Sequence, residues 1–199
     1  MKAAVPTVQV SKEATNLEVT LGHLTFSSRF DSGNCLRVER DPHAAPADNA
    51  YFVWNRADCE GTDAETPYRT WFHFSVAGAR RGEFINVTIV NMNVQLGLYK
   101  HDYRPITRSL PSKPRWDRVR FPAQTQVVPG DQSLGYKKHM RLTFRHRFEA
   151  DGETAYFAFC YPYPYSQVQA RLRAIEQELG VHGGADAVAA GGWTAAALP

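Results

Sequence analysis

His146-Arg147-Phe148-Glu149 carries the HxxE spacing of a metal-binding pair. A catalytic zinc needs three protein ligands and an open position where a water is activated. The surrounding segment alternates as a strand, and strand side chains three apart face opposite sides of a sheet. His146 therefore falls with Phe144 and Phe148 on the apolar face, while Glu149 points away with Arg145 and Arg147. The pair reads as a hydrogen-bonded core histidine and a surface carboxylate, not as metal ligands. Nucleophilic chemistry finds no better footing. Cys35, Cys59 and Cys160 form no CxxC pair, there is no GxSxG elbow and no glycine-rich phosphate loop, and the carboxylates are scattered without a recognisable acid/base pair. The residues name no catalytic position and no metal ligand, so the chain reads as non-catalytic.

The other chemically distinctive stretch is basic. Residues 98–121 hold Lys100, Arg104, Arg108, Lys113, Arg115, Arg118 and Arg120 against Asp102 and Asp117, with Tyr99, Tyr103 and Trp116 interleaved. Lys137, Lys138, Arg141, Arg145 and Arg147 join them if the faces meet. Such a surface draws polyanions by long-range attraction. Three readings fit: a solvated loop whose arginines pair locally and stack on Trp116, a surface for an acidic protein segment, or a nucleic-acid surface. Arg104, Arg108, Arg115 and Arg118 are the candidate contacts to an acidic substrate.

The elements that would position these residues are short strands. Residues 24–30 and 35–40 alternate around a DSGN turn, with Leu36 and Val38 inward, and predict a hairpin. An aromatic strand follows at 51–54. Residues 69–76 and 84–91 predict a second hairpin around residues 78–82. Residues 95–122 hold several prolines and predict irregular chain with two short strands, and 126–138 predict a loop. Residues 140–148 put Met140, Leu142, Phe144, His146 and Phe148 on one face. They turn at Asp151-Gly152 into the strand 155–160, a third hairpin that includes Cys160 as a small packed hydrophobe.

That last strand runs into Pro162 and Pro164, which lack N–H donors, so the Tyr-rich chain leaves the sheet as a stiff connector. Ser166 is placed as N-cap of a helix over 166–180, with Gln169 completing a capping box and Gly180 at C′. Val168, Leu172, Ile175 and Leu179 form its apolar stripe. Residues 1–20 are polar and aperiodic and read as a flexible N-terminus. Residues 181–199 are Gly/Ala-rich and read as a linker or tail. Many short strands with a helix only near the end predict an all-β chain, an antiparallel β-sandwich with one C-terminal helix.

Composition sets the frame. The chain has 199 residues, 43% hydrophobic and 22% charged, with a net charge of +3. That is one domain plus tails, too mildly basic to name a nucleic-acid partner on charge alone. The three cysteines favour a reducing compartment. The opening residues lack a signal-peptide core and no run approaches the length of a membrane span, so a cytoplasmic, soluble chain with no membrane partner is expected. Asn86-Val87-Thr88 matches a glycosylation sequon but lies in a predicted strand.

Six segments in order, FSSRFDSGN (26–34), RTWFHFSV (69–76), INVTIVNMN (85–93), LPSKPRWDRVR (110–120), LTFRHRF (142–148) and YFAFCYPYPYS (156–166), resemble the amino-terminal domain of the cytosolic carboxypeptidases, a branch of the zinc metallocarboxypeptidases. The resemblance implies an antiparallel sandwich, covering residues 21–165 here, packed against a catalytic α/β domain that would follow this chain. That domain is expected to hold the zinc and remove glutamates, branch-point glutamates included, from polyglutamylated tubulin. No catalytic residue and no cofactor is carried onto this chain. Tyr161, Pro162, Tyr163, Tyr165, Ser166 and Leu172 are the expected interface to the catalytic domain. Glutamylated tubulin tails are the expected partner, with the arginines above shaping their approach. The alternative is a stand-alone binding module for an acidic protein or a nucleic acid.

Overall fold

The computed structural model describes residues 17–130 and 137–180. Eleven strands fall into two sheets. The six-stranded sheet has the order β1 (Glu18–Leu21), β2 (Leu24–Ser27), β5 (His73–Ala77), β11 (Thr154–Ala158), β7 (Ile106–Leu110), β8 (Lys113–Arg118), all antiparallel. The five-stranded sheet has the order β3 (Arg37–Arg40), β4 (Ala50–Trp54), β6 (Phe84–Met92), β10 (Lys138–Arg147), β9 (Gln124–Pro129). Its β4–β6 pair is parallel, a local exception in the otherwise antiparallel sandwich. A one-turn helix α1 (Leu96–Tyr99) and a terminal helix α2 (Tyr165–Glu178) complete the described elements.

The alternation read from the sequence correctly marks the buried face. Met140, Leu142, Phe144 and Phe148 are all buried, as are Phe26, Phe74, Val76, Ile85, Val87, Ile89, Ala155 and Phe157. Rings from the two sheets meet in the centre: Phe26 lies 4.8 Å from Tyr51, and Phe144 lies 5.4 Å from Phe157, centroid to centroid. Burying a ring of this size removes 150–250 Å² from water, so these positions dominate the core energetics.

None of the three predicted hairpins forms. β2 pairs with β1 and β5, while β3 pairs with β4 in the other sheet. β5 and β6 lie in different sheets, and so do β10 and β11. Each of these turns is an arch carrying the chain from one sheet to its partner. The physical reason is that both sheets bury their inner face against the same core. Period two identifies the inner face but not the sheet that owns it.

Other boundaries shift for local reasons. β1 forms within the stretch read as aperiodic. Leu36 is 39% exposed because β3 begins only at Arg37, leaving Val38 as its core residue. Residues 69–72 are not strand, and β9 occupies part of the predicted 126–138 loop. β11 ends at Ala158, so Cys160 is exposed, and the buried thiol is Cys35.

The chain divides into two compact units at Pro162/Tyr163. In the second unit Pro164, not Ser166, takes the N-cap position, with no side-chain cap bond. The expected capping box is absent because the helix starts at Tyr165, one residue before the serine. Gly180 does take the left-handed C′ conformation, at φ +66°. No residue of α2 is buried. The expected N-terminal residues 1–16 and the 181–199 tail lie outside the described residues.

Candidate functional site

β8 is the outer strand of the six-stranded sheet, and β9 pairs only with the Lys138–Thr143 part of β10. The last residues of β10 are therefore left open toward β7 and β8. A cleft of 360 Å³ lies there, lined by Arg108, Lys113, Arg115, Arg118, Arg120, Arg145 and Arg147 together with Asp117, Glu149, Thr107, Ser109, Phe121 and His146. Seven cationic side chains thus face two carboxylates. Among the described residues, only Arg147 of the seven has an ion-pair partner, Glu149, at 3.9 Å.

Aromatic rings carry much of this charge. Arg108 sits 4.9 Å from both the Trp116 and Tyr156 rings, and Arg118 sits 4.6 Å over Tyr103. Arg145 stacks 3.9 Å over Phe84. A ring face attracts a guanidinium by its quadrupole, and stacking leaves the edge N–H groups of the guanidinium available. Such packing holds like charges near one another without neutralising them.

Of the four arginines singled out from sequence, Arg108, Arg115 and Arg118 line the cleft. Arg104 does not. Its guanidinium pairs with Asp102 and donates to the carbonyls of Val119 and Arg120, pinning the end of β8. Local pairing, one of the three sequence readings, thus describes Arg104. Arg120, from the same basic stretch, and Arg145 and Arg147, expected to join it if the faces met, complete the lining.

His146 packs edge-on against Phe148 and Phe157, with centroids 5.0 Å away in both cases. Its Nε2 is buried and has no hydrogen-bond partner, which corrects the expected hydrogen-bonded core histidine. Burial pulls its pKa down to about 4, with Glu149 opposing and Lys113 adding to the shift. Thr107 Oγ1 is likewise buried and unpartnered. Both residues belong to the cleft lining, but these two atoms are covered, so the polar groups the cleft presents are chiefly its charged side chains.

His146 and Glu149 line the same cleft because β10 ends at Arg147 and the strand geometry no longer separates them. They still do not suit a zinc ion. Glu149 pairs with Arg147, cations surround both residues, and no group of three potential ligands occurs among the described residues.

A second hydrogen-bonded centre escaped the sequence reading. The Asn34 side chain accepts from the Arg56 N–H at 2.9 Å and donates to the Trp71 carbonyl at 3.0 Å. Ser32 Oγ meets His73 Nδ1 at 3.0 Å, and Trp71 Nε1 donates to the Ser32 carbonyl at 2.9 Å. The DSGN segment is thus a clamp onto the start of β5, not a hairpin turn.

The junction residues are open to solvent. Tyr161 is 67% exposed, Tyr163 62%, Tyr165 70% and Leu172 47%.

Residues 26–160 match the cytosolic carboxypeptidase N-terminal domain. The chain is 38% identical over 181 residues to cytosolic carboxypeptidase-like protein 5 of Mus musculus, covering 81% of this chain and 20% of that protein. It is 29% identical over 157 residues to cytosolic carboxypeptidase 6 of the same species, covering 79% of this chain and 26% of that protein. A metallo-carboxypeptidase from Burkholderia cenocepacia shares the fold, with a TM-score of 0.50 and 22% identity over 77% of this chain and 33% of that one. The chain spans about a fifth of the length of the first of these curated relatives.

Proposed function

The chain belongs to the cytosolic carboxypeptidase family as its N-terminal domain, and from that premise we propose that it supports a zinc-dependent catalytic domain which removes glutamates from polyglutamylated tubulin. In this reading the sandwich braces the catalytic domain through the Tyr161–Tyr165 connector and the exposed stripe of α2. The zinc belongs to the catalytic domain, where it would polarise the scissile carbonyl and activate water. The residues of this chain contribute attraction and orientation, and their place of work is the cytoplasm.

The observation that carries the reading is the cleft between β7–β8 and the end of β10, where cations outnumber carboxylates seven to two. Guanidinium groups bind carboxylates in bidentate fashion. An acidic chain passing this cleft gains paired contacts and a raised local concentration.

The test is charge reversal of Arg115 and Arg118 to Glu in the carboxypeptidase that carries this domain. Turnover of polyglutamylated tubulin should slow, and more at low than at high ionic strength, because salt screens exposed charges. Equal rates with an unaltered salt dependence would remove the cleft from the account.

A further inference from the structure

β10 continues past the cleft along the outer face of the five-stranded sheet. Its outward residues alternate with the core set, and Arg141, Arg145 and Arg147 are all exposed on that side. At ~3.3 Å per residue they stand roughly 13 Å and 7 Å apart. At the far end of the strand, Lys138 and Arg141 line a second cavity of 660 Å³, with Phe52 and Trp54 in its wall. Arg141, Arg145 and Arg147 thus form a row of cations, roughly 20 Å long, that leads from the second cavity to the cleft.

The face around the row holds almost no negative charge. On β4, β6, β9 and β10 it carries no Asp or Glu, and Glu39 on β3 is already engaged with Arg37 at 3.4 Å. Arg141 and Arg145 have no carboxylate partner among the described residues. The rings on this face each have a guanidinium near them. Arg37 lies 3.8 Å over Trp54, Arg145 3.9 Å over Phe84, and Arg141 5.9 Å from Phe52. A guanidinium beside a ring competes with a nucleobase for that face, whereas a stacked guanidinium still presents N–H groups to a carboxylate.

We propose that this row is a docking track for an extended acidic polypeptide, running along β10 and ending in the arginine cleft. In an extended chain every second side chain falls on the same side, at a repeat of about 7 Å. That repeat matches the Arg145–Arg147 step once and the Arg141–Arg145 step twice. A run of glutamates therefore places successive carboxylates over successive arginines. The inference rests on the reading of the cleft as an acidic-chain site, and it adds a length requirement: a short glutamate chain fills the cleft alone, and a long one also engages the track.

The experiment is fluorescence anisotropy on the 199-residue chain, with two labelled probes, a triglutamate and a glutamate peptide of about ten residues, long enough to span the track. The pair Lys138→Gln with Arg141→Gln, both outside the cleft lining, should weaken the long peptide roughly tenfold at low salt, less at high salt, and leave triglutamate unchanged. Arg115→Glu with Arg118→Glu should weaken both probes. Arg171→Gln with Arg173→Gln on α2 removes the same charge and should change neither. Arg141→Lys keeps the charge but loses the bidentate fork, and should give a smaller loss of long-peptide binding even if the Gln pair fails to fold. The track is overturned if folded Gln and Lys variants bind the long peptide as the α2 control does. It is also overturned if a single-stranded oligonucleotide of equal charge binds more tightly than the peptide. Unaltered triglutamate binding in the Arg115/Arg118 variant would instead sink the cleft reading, and that result is independent of the track.

Discussion

Two histidines are held neutral in this domain by their surroundings. His73 is 3% exposed, and burial followed by the charge of Arg108 brings its pKa to about 4, against the opposing contact with Ser32. His146 is pulled to a similar value, chiefly by burial. Each folded-state pKa lies below the ordinary histidine value of about 6.5, so the unfolded chain binds protons first as pH falls. The stability these groups confer is fully present above about pH 6.5 and is lost as pH falls toward 4, with roughly 3 kcal/mol at stake for each. Urea melts taken across that window should show stability falling with acidity, and His146→Leu should flatten the dependence. A slope that His146→Leu leaves unaltered would dismiss this assignment. Cysteine chemistry follows the same logic. Burial pushes the Cys35 thiol up to about 12, while Cys59 and Cys160 are exposed. A thiol reagent near neutral pH should label the latter two in the native protein and Cys35 only on unfolding.

The elements are held in place by buried polar ties that no periodicity announces. Glu153 is fully buried and accepts from Ser112 Oγ at 2.6 Å and from the Glu149 N–H at 2.9 Å, joining the β7–β8 turn to the β10–β11 arch. Glu153→Ala leaves both donors unsatisfied and should cost about 2 kcal/mol, read as a lower denaturation midpoint with an unchanged m-value. The β5–β6 arch depends on Gly78, at φ +92°, where an added Cβ would lie 2.1 Å from the His23 carbonyl oxygen. Gly78→Ala is strained in dihedral and blocked by backbone, so a loss of about 2 kcal/mol or more is expected. The composition of these turns announced a reversal at each place. The direction of the reversal, across the core and not back along the same sheet, depended on contacts made by distant residues.

At the scale of the molecule, the exposed run of Tyr161, Tyr163 and Tyr165, with Leu172 and Leu179, is unusual for a surface. If it is the seat of the catalytic domain, the isolated chain should self-associate with rising concentration in sedimentation experiments. Replacing the three tyrosines with Ser and Leu172 with Gln should abolish this while leaving the melting temperature of the sandwich within a few degrees. Unchanged association would mean the connector is not the adhesive surface. The cationic cleft belongs to this scale too, because residues about 40 apart in sequence share its walls.

The alternation of apolar residues determined by itself that this chain is an all-β sandwich, and the order of six segments determined its family. Both are local properties, set by which side of each strand avoids water and by residue types in sequence. Only the tertiary structure decided which strands are neighbours, because two inner faces sharing one core look alike to a periodicity. The site was divided in the same way. Charge density pointed to Arg108, Arg115 and Arg118. Local pairing with Asp102 took Arg104 out of the site, whereas the arrival of Arg145 and Arg147 required the two sheets to be brought face to face.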